Sequence, residues 1–532
     1  MRHDNQSRRE FLGSSVAVGL ALAGSIGKSP TVAAAEDDTN AIAIGSRREL
    51  FVDEFLIEKR KGKIAQRLHH PVPQEISLVH DAPWEGSGSG YHSVFQDGEI
   101  YRMYYKAWHL EVADGGLKSN RHPLLCCYAE SDDAVHWRKP DLGLHEFEGS
   151  KANNIVIVSG KQGALNIDAG HPAVFKDDNP DATPDAQYKA IVRSSGPSGL
   201  IPLKSPDGIH FSPMVDAPIL GGLGAFDSQN LAFWDPTLGK YRAYWRIFTA
   251  GVTTDTEWKP AGHRAIRTAT SDDLINWSQP ADLTYVDSPS EQLYTNQIKP
   301  YHRAPHILIG FPTRYVERGW SDSMKALPEA DHRVLRSSAS DRYGTAITEG
   351  LLMASRDGVT FKRWNEGFLR PGIERKDTWN YGHQYIAWHV VETKSSREGA
   401  PNELSLYASE SYWTGKGSAV RRYTLRLDGF VSLSGPMEGG EVITKPLTFT
   451  GSNLAINFST SAAGRVRIEI QNSAGDPIKG FSLADCSDHF GDTVERIVHW
   501  TDGPDVSRLA GKPVRLRFVL QDADLYSFQF TG

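Results

Sequence analysis

Cysteine is scarce in this chain of 532 residues: Cys126, Cys127 and Cys486 are all it has. Adjacent residues on a strand point to opposite faces, so Cys126 and Cys127 are poor partners, and neither a disulfide framework nor a zinc spacing can be assembled. All three are expected as small buried apolar side chains. Charge of one sign is lacking too: 58 Lys and Arg stand against 65 Asp and Glu, a net charge of −7. That balance excludes a basic face for nucleic acid and a polybasic membrane anchor. Long segments of helical periodicity are few, and beyond residue 35 no apolar run is long enough to cross a bilayer as a helix. No His or Asp spacing specifies a metal, so neither a metal nor a cofactor is expected.

What the chain does have begins with an export signal. Ser7-Arg-Arg-Glu-Phe-Leu-Gly13 is a twin-arginine signature, followed by a short apolar stretch and a small-residue cleavage site at Ala33-Ala34-Ala35. Residues 1–35 are therefore expected to be removed, with the mature protein periplasmic or extracellular. The remaining residues are rich in turn formers and aromatics, with 49 Gly, 29 Pro and 10% Phe, Trp and Tyr. That composition points to many short strands.

A repeat organises them. Ser131-Asp-Asp-Ala-Val-His-Trp137, Ser205-Pro-Asp-Gly-Ile-His-Phe211, Ser271-Asp-Asp-Leu-Ile-Asn-Trp277 and Ser355-Arg-Asp-Gly-Val-Thr-Phe361 share the pattern Ser-x-Asp-x-x-x-aromatic. Ser and Asp satisfy turn amides, and the aromatic packs between sheets. Four such turns, each after a short strand, predict a repeated four-stranded unit. Inner strands are expected at 91–96, 168–176, 227–234, 291–300 and 380–391, giving five blades. The fifth lacks the turn, and residues 49–57 are expected to supply its outer strand and close the ring. From residue 436 the sequence alternates apolar and charged residues, as in Arg465-Val-Arg-Ile-Glu-Ile470. The fold class expected is all-β: a five-bladed β-propeller over 45–435 followed by an antiparallel β-sandwich over 436–532.

In a propeller the leading ends of the inner strands line one funnel. Those ends carry Glu85, Tyr91 and His92; Asp168 and His171; Asp227, Gln229 and Asn230; Glu291, Tyr294 and Asn296; and Trp379, Asn380 and His383. Acids interleaved with amides and aromatics suit carbohydrate, through hydrogen bonds to hydroxyls, stacking on sugar faces and acid/base cleavage. By position, Asp227 is the expected base or nucleophile, Glu291 the general acid and Asp168 a third, tuning carboxylate. Each has a local alternative: Asp227 as a cap of its approach turn, Glu291 as a solvated loop acid, Asp168 as part of a surface turn, and His171 and His383 as satisfied inner-strand histidines. Arg314 and the 317–348 insertion, with Arg318, Trp320, His332, Arg333, Arg342 and Tyr343, set arginines beside aromatics. That pairing suits a sulfate or carboxylate on an acidic sugar, or else structural ion pairs. Glu349 is a reserve acid.

Leu50-Phe-Val-Asp-Glu-Phe-Leu-Ile57, Phe226-Asp-Ser-Gln-Asn230, Phe233-Trp-Asp-Pro236, the repeated turns and the terminal sandwich resemble the five-bladed β-propeller glycoside hydrolases. These include invertases and levanases, arabinanases and β-xylosidases, and neoagarooligosaccharide hydrolases, together with exported bacterial relatives. The resemblance implies a base or nucleophile on blade one, a tuning Asp on blade two and an acid Glu on blade three. This chain departs from that register: blade one opens on Gly90-Tyr91-His92, and its acids fall on blades two, three and four. An exo-acting hydrolase of plant or algal oligosaccharides is the activity implied. A non-catalytic glycan-binding propeller is the alternative, and a sialidase-like hydrolase with a nucleophilic Tyr91 or Tyr294 is a further one.

Overall fold

The computed structural model describes residues 41–254 and 256–532, and Ala41–Gly532 forms one compact unit. The export signature and its cleavage site lie outside the described residues. Five antiparallel sheets follow one another along the chain as the blades of a propeller. From the axis outward, blade one is Gly90–Asp97, Ile100–Ala107, Leu125–Ser131 and Ile155–Val158. Blade two is Leu165–Lys176, Tyr188–Ser194, Leu200–Ser205 and Ser212–Pro213, and blade three is Leu231–Asp235, Lys240–Thr253, Trp258–Ser271 and Ala281–Asp282. Blade four is Lys299–Tyr301, Ala304–Gly310, Met353–Ser355 and Thr360–Arg363, with Thr284–Val286 added in parallel outside.

Blade five corrects the expected ring closure. Its strands are Val391–Thr393, Glu403–Glu410 and Ala419–Arg426, and the outer strand is Val72–Val79, not 49–57. The reason is polarity. An outermost strand has one unpaired edge and a wet face, which Val72–Val79 suits with mostly exposed residues and a proline at Pro73. Leu50, Phe51 and Val52 are fully buried and belong inside. Glu49–Leu50 pairs instead with Arg515–Thr531, and Ile57–Gly62 with Gly440–Thr444.

The C-terminal module therefore includes N-terminal strands. Asn453–Gln471 and Arg515–Thr531 pair along nearly their whole lengths and bend together where the register breaks between Thr460 and Arg465. They fold over a core built from both ends of the chain, including Ile44, Phe51, Leu56, Val442, Phe458 and Phe518.

The axis is closed by amides and an indole. Gln229 donates from Nε2 to the carbonyls of Tyr91 and Pro172, both at 2.9 Å, and accepts at Oε1 from Gln297 at 2.6 Å. Trp388 donates from Nε1 to the Ile298 carbonyl at 2.9 Å. Inner stretches of blades four and five are regular strand only at their far ends, at Lys299–Tyr301 and Val391–Thr393. Left-handed residues break them upstream, with φ of 47° at Gln297, 61° at Gln384 and 78° at His389.

The repeated turns form as expected. In each, the Asp carboxylate accepts two backbone N–H groups, as Asp207 does from Ile209 and His210 at 2.9 Å. The 317–348 insertion carries three short helices, Asp322–Ala326, Ala330–Ser337 and Asp341–Thr345.

Candidate functional site

At the end where the inner strands begin, the side chains gathered at the funnel are dominated by tyrosine, with Tyr91, Tyr294 and Tyr381 buried. Tyr91 from blade one, Tyr294 from blade four and Tyr385 from blade five pack in sequence, with ring centroids 6.3 Å apart for Tyr91–Tyr385 and 5.5 Å for Tyr294–Tyr385. Tyr381 lies 6.1 Å from both Tyr294 and Tyr412. Tyr91 sits at φ 54°, the bulge at which the blade-one strand parts from its neighbour between Gly90 and Ser93.

Into this wall come two of the three expected catalytic acids. Asp168 lies at a bulge in Leu165–Lys176. It accepts from the Gly170 N–H at 2.9 Å and lies against His171 Nδ1 at 3.1 Å, with the Arg193 guanidinium 3.6 Å away. Burial would raise its pKa, but His171 and Arg193 outweigh that and hold it at about 2. It is an ionised carboxylate at any physiological pH. The His171 ring stands 5.7 Å from that of Tyr91, and burial keeps its pKa below the usual imidazole value despite Asp168. Asp227 comes from blade three, with its side chain 38% exposed and ion-paired to Arg246. The two acids thus approach the tyrosine cluster from adjacent blades through their partners, Asp168 through His171 beside Tyr91 and Asp227 through Arg246 beside Tyr294.

Glu291 does not. Gln292 and Tyr315 turn toward the funnel, where both meet Arg264. Period-two alternation sends their neighbours Glu291 and Arg314 to the other face. There Glu291 is paired with Arg314 at 3.1 Å and Arg363 at 2.9 Å, and Glu349 shares Arg314 at 3.2 Å. Burial raises the pKa of Glu349. The expected general acid and its reserve form one ionic cluster behind the blade-four ribbon.

Several expected binding residues prove to be internal. Glu85 is fully buried and accepts from Tyr105 and from Lys139 at 2.7 Å; burial raises its pKa above the usual value. His92 meets His80 at 3.1 Å between their Nε2 atoms, and burial drives both imidazoles well below the ordinary range, His80 to about 3. Gln229 belongs to the axis. Asn230 donates to the Phe226 and Ser228 carbonyls at 2.9 and 2.7 Å, and Asn296 is buried beside Ile298. Asn380 accepts from Arg336 at 2.6 Å and His383 accepts the Trp379 N–H at 3.0 Å, while Trp379 itself is partly exposed and donates to the Gly372 carbonyl at 2.9 Å. Burial takes the His383 pKa to about 4.

The cations of the funnel escaped sequence reasoning. Lys106 is buried with its Nζ 4.6 Å from the Tyr91 ring, 5.0 Å from Trp108 and 5.3 Å from Tyr412. Burial pushes its pKa down to about 7, against the pull of Asp168. Arg246 and Arg264 place their guanidiniums 5.0 and 5.3 Å from the Tyr294 ring. Burial alone would raise the Tyr294 phenol, but Arg246, a hydrogen bond from the Tyr381 hydroxyl at 3.0 Å and Arg264 bring it below the usual value. A signal was there to find: Lys106 and Arg246 each directly follow two aromatic residues on a second strand, Tyr104-Tyr-Lys106 and Tyr244-Trp-Arg246.

A cavity of about 480 Å³ lies at the far ends of the same inner strands, among Gln96, Lys176, Lys299 and Glu392, and holds none of the expected site residues.

No family model and no curated protein matches this chain. Solved structures do resemble it. A family 43 arabinoxylan arabinofuranohydrolase from Bacillus subtilis, in complex with cellotetraose, has a TM-score of 0.39 at 11% identity, covering 84% of this chain and 96% of that one. A fructofuranosidase from Schwanniomyces occidentalis, complexed with fructosylnystose, gives 0.34 at 11%, over 85% and 96%. An N-acetylgalactosamine deacetylase from F. plautii, in complex with blood group B trisaccharide, gives 0.42 at 12%, over 67% and 94%. At this level of likeness the chemistry of the present chain rests on its own site.

Proposed function

We propose that this protein is a glycoside hydrolase, exported by the twin-arginine route to the periplasm or cell exterior, that cleaves sugars from plant or algal oligosaccharides in the tyrosine-lined funnel. One observation carries the reading: two carboxylates from adjacent blades, Asp168 and Asp227, are each held by a partner that lies against the tyrosine cluster, His171 beside Tyr91 and Arg246 beside Tyr294. Stacking faces beside paired acids are what a glycosidic bond needs for binding and cleavage. Asp227, the more accessible of the two, acts as nucleophile, or as base toward an attacking water, as the glycosidic C–O bond breaks and the departing oxygen takes a proton from water. Asp168, held ionised, stabilises the positive charge that develops at the anomeric carbon.

A second reading within the same reaction class is favoured by Tyr294. Its phenol is lowered by two guanidiniums and receives a hydrogen bond from Tyr381. That is the environment of an oxygen nucleophile, which would attack the anomeric carbon as the glycosidic C–O bond breaks, the departing oxygen taking a proton from water, and leave a glycosyl-tyrosine that a second water cleaves.

The test is turnover on a panel of aryl glycosides and algal oligosaccharides. Asp168→Asn and Asp227→Asn are each expected to lower kcat/KM by roughly 10²–10⁴-fold while leaving the melting transition in place. Tyr294→Phe decides between the readings, since only a tyrosine nucleophile makes it inactive and allows a glycosyl-tyrosine to be trapped in the parent protein. Undiminished turnover in both aspartate variants overturns the assignment. Sugar binding without any turnover makes the protein a glycan-binding propeller.

A further inference from the structure

Beside Tyr294 lies a cavity of about 300 Å³ lined by Asp227, Arg246, Phe248, Trp258, Arg264, Gln292 and Arg342, among others. Its three arginines come from three elements. Arg246 and Arg264 stand on the paired strands Lys240–Thr253 and Trp258–Ser271. The register sets Arg246 opposite Ile266 and Phe248 opposite Arg264, so both arginines share one face with Phe248 between them. Each guanidinium lies 5.3 Å from that ring. Arg342 comes from the helix Asp341–Thr345 of the insertion, 4.5 Å from the Tyr343 ring and 6.0 Å from that of Tyr381.

The charges do not balance. Among the described residues the only carboxylate paired with any of the three is Asp227, on Arg246. Arg264 donates to the neutral amide of Gln292, and Arg342 to the Tyr343 hydroxyl at 3.2 Å. Buried nitrogens are left without partners on all three: Nε of Arg246, Nε of Arg264 and Nη1 of Arg342. The Arg246 side chain is only 3% exposed. Three guanidiniums against one carboxylate in a half-enclosed cavity is a costly arrangement for a protein alone, and an anion that enters relieves it. Trp258, 50% exposed on the projecting hairpin and lining the same cavity, offers a flat apolar face beside that charge.

We propose that this cavity binds an anionic substituent of a sugar, a carboxylate or a sulfate ester, between Arg264 and Arg342, with the sugar ring against Trp258. The inference rests on the carbohydrate reading of the funnel and narrows it to acidic glycans. Guanidinium forks match the oxygens of both groups, and Asp227 already occupies the outward side of Arg246.

The experiment is calorimetric titration of the full mature chain with sodium glucuronate, glucose 6-sulfate and glucose at one fixed ionic strength. One or both anionic probes are expected to bind about tenfold or more tightly than glucose. Arg264→Gln and Arg342→Gln, checked for an unchanged melting transition, are expected to remove that preference, bringing the anionic probes to the same affinity as glucose measured on the same variant. Equal affinity for all three sugars, no anion-dependent binding, or a preference that survives the double variant overturns the proposal. Asp168-dependent cleavage of neutral oligosaccharides with no anion preference would sink this inference and leave the hydrolase standing. Anion-selective binding without cleavage would do the reverse.

Discussion

Lys106 is a cation that burial moves into the physiological pH range. Its amine is enclosed by Tyr91, Trp108 and Tyr412 and donates to the Tyr412 hydroxyl at 3.4 Å. Burial brings the pKa from 10.5 down to about 7. Between those values the unfolded chain binds the proton that the folded chain releases, so this group makes stability rise with pH across that window. Below about 7 the burial penalty is present in full. Lys106→Met removes the titrating amine. The stability of the parent relative to Lys106→Met, from urea unfolding, is expected to rise by about 2 kcal/mol between pH 7 and pH 9. A difference that does not change with pH would show that the amine keeps its ordinary pKa. At this scale the sequence placed Tyr91, Asp168, His171, Asp227 and Tyr294 at the funnel, because each sits where an inner strand begins. It failed at Glu291 because alternation defines two faces without saying which is inward, and the irregular 291–298 stretch offers no phase from which to count.

Among the elements, the repeated turns do more than end hairpins. Each of three accepts a tyrosine hydroxyl from the second strand of the preceding blade. Tyr104 donates to the Gly208 carbonyl at 2.9 Å, Tyr244 to that of Gly358 at 2.8 Å, and Tyr407 to that of Ala134. The last of these links blade five to blade one, closing the circle. A turn carbonyl buried between sheets has no water to fall back on, so the hydroxyl supplies a bond that the hairpin cannot make for itself. Tyr244→Phe keeps the ring and removes only that donor. It is expected to cost about 1–3 kcal/mol in urea unfolding with no change in the denaturant slope. A cost near zero would mean that the blades are held together by apolar packing alone. The turns were legible in the sequence because Ser-x-Asp repeats. Val72–Val79 was not, because a proline-bearing exposed segment lacks the apolar run by which strands are recognised, whereas 49–57 has that run and is buried in the adjoining module instead.

Across the whole molecule, the N-terminal segment joins the propeller to the sandwich. Residues 42–68 contribute strands to the C-terminal sheets, and Val72–Val79 then crosses to blade five. At the junction Asp428 is fully buried. It accepts from Tyr301 and Arg303 of blade four, both at 2.8 Å, from Ser527 of the sandwich at 2.7 Å, and from Arg48 at 3.3 Å. Burial would raise its pKa, yet Arg303 and Arg48 bring it below the usual value. Leu50 and Val52 pack into the same core as Tyr301, Phe430 and Val431. The two modules therefore share apolar surface, a buried charge network and a strand-bearing segment, which is the signature of one cooperative unit. A chain ending at residue 435 strips Ile57–Gly62 of its partner Gly440–Thr444 and leaves Arg303 and Arg48 without Ser527 behind their shared carboxylate. Such a chain is expected to aggregate or elute as a broad, non-native species in size-exclusion chromatography, with loss of near-ultraviolet circular dichroism. A monodisperse fragment that melts in one sharp transition would show that the propeller folds alone and that the sandwich is an appendage.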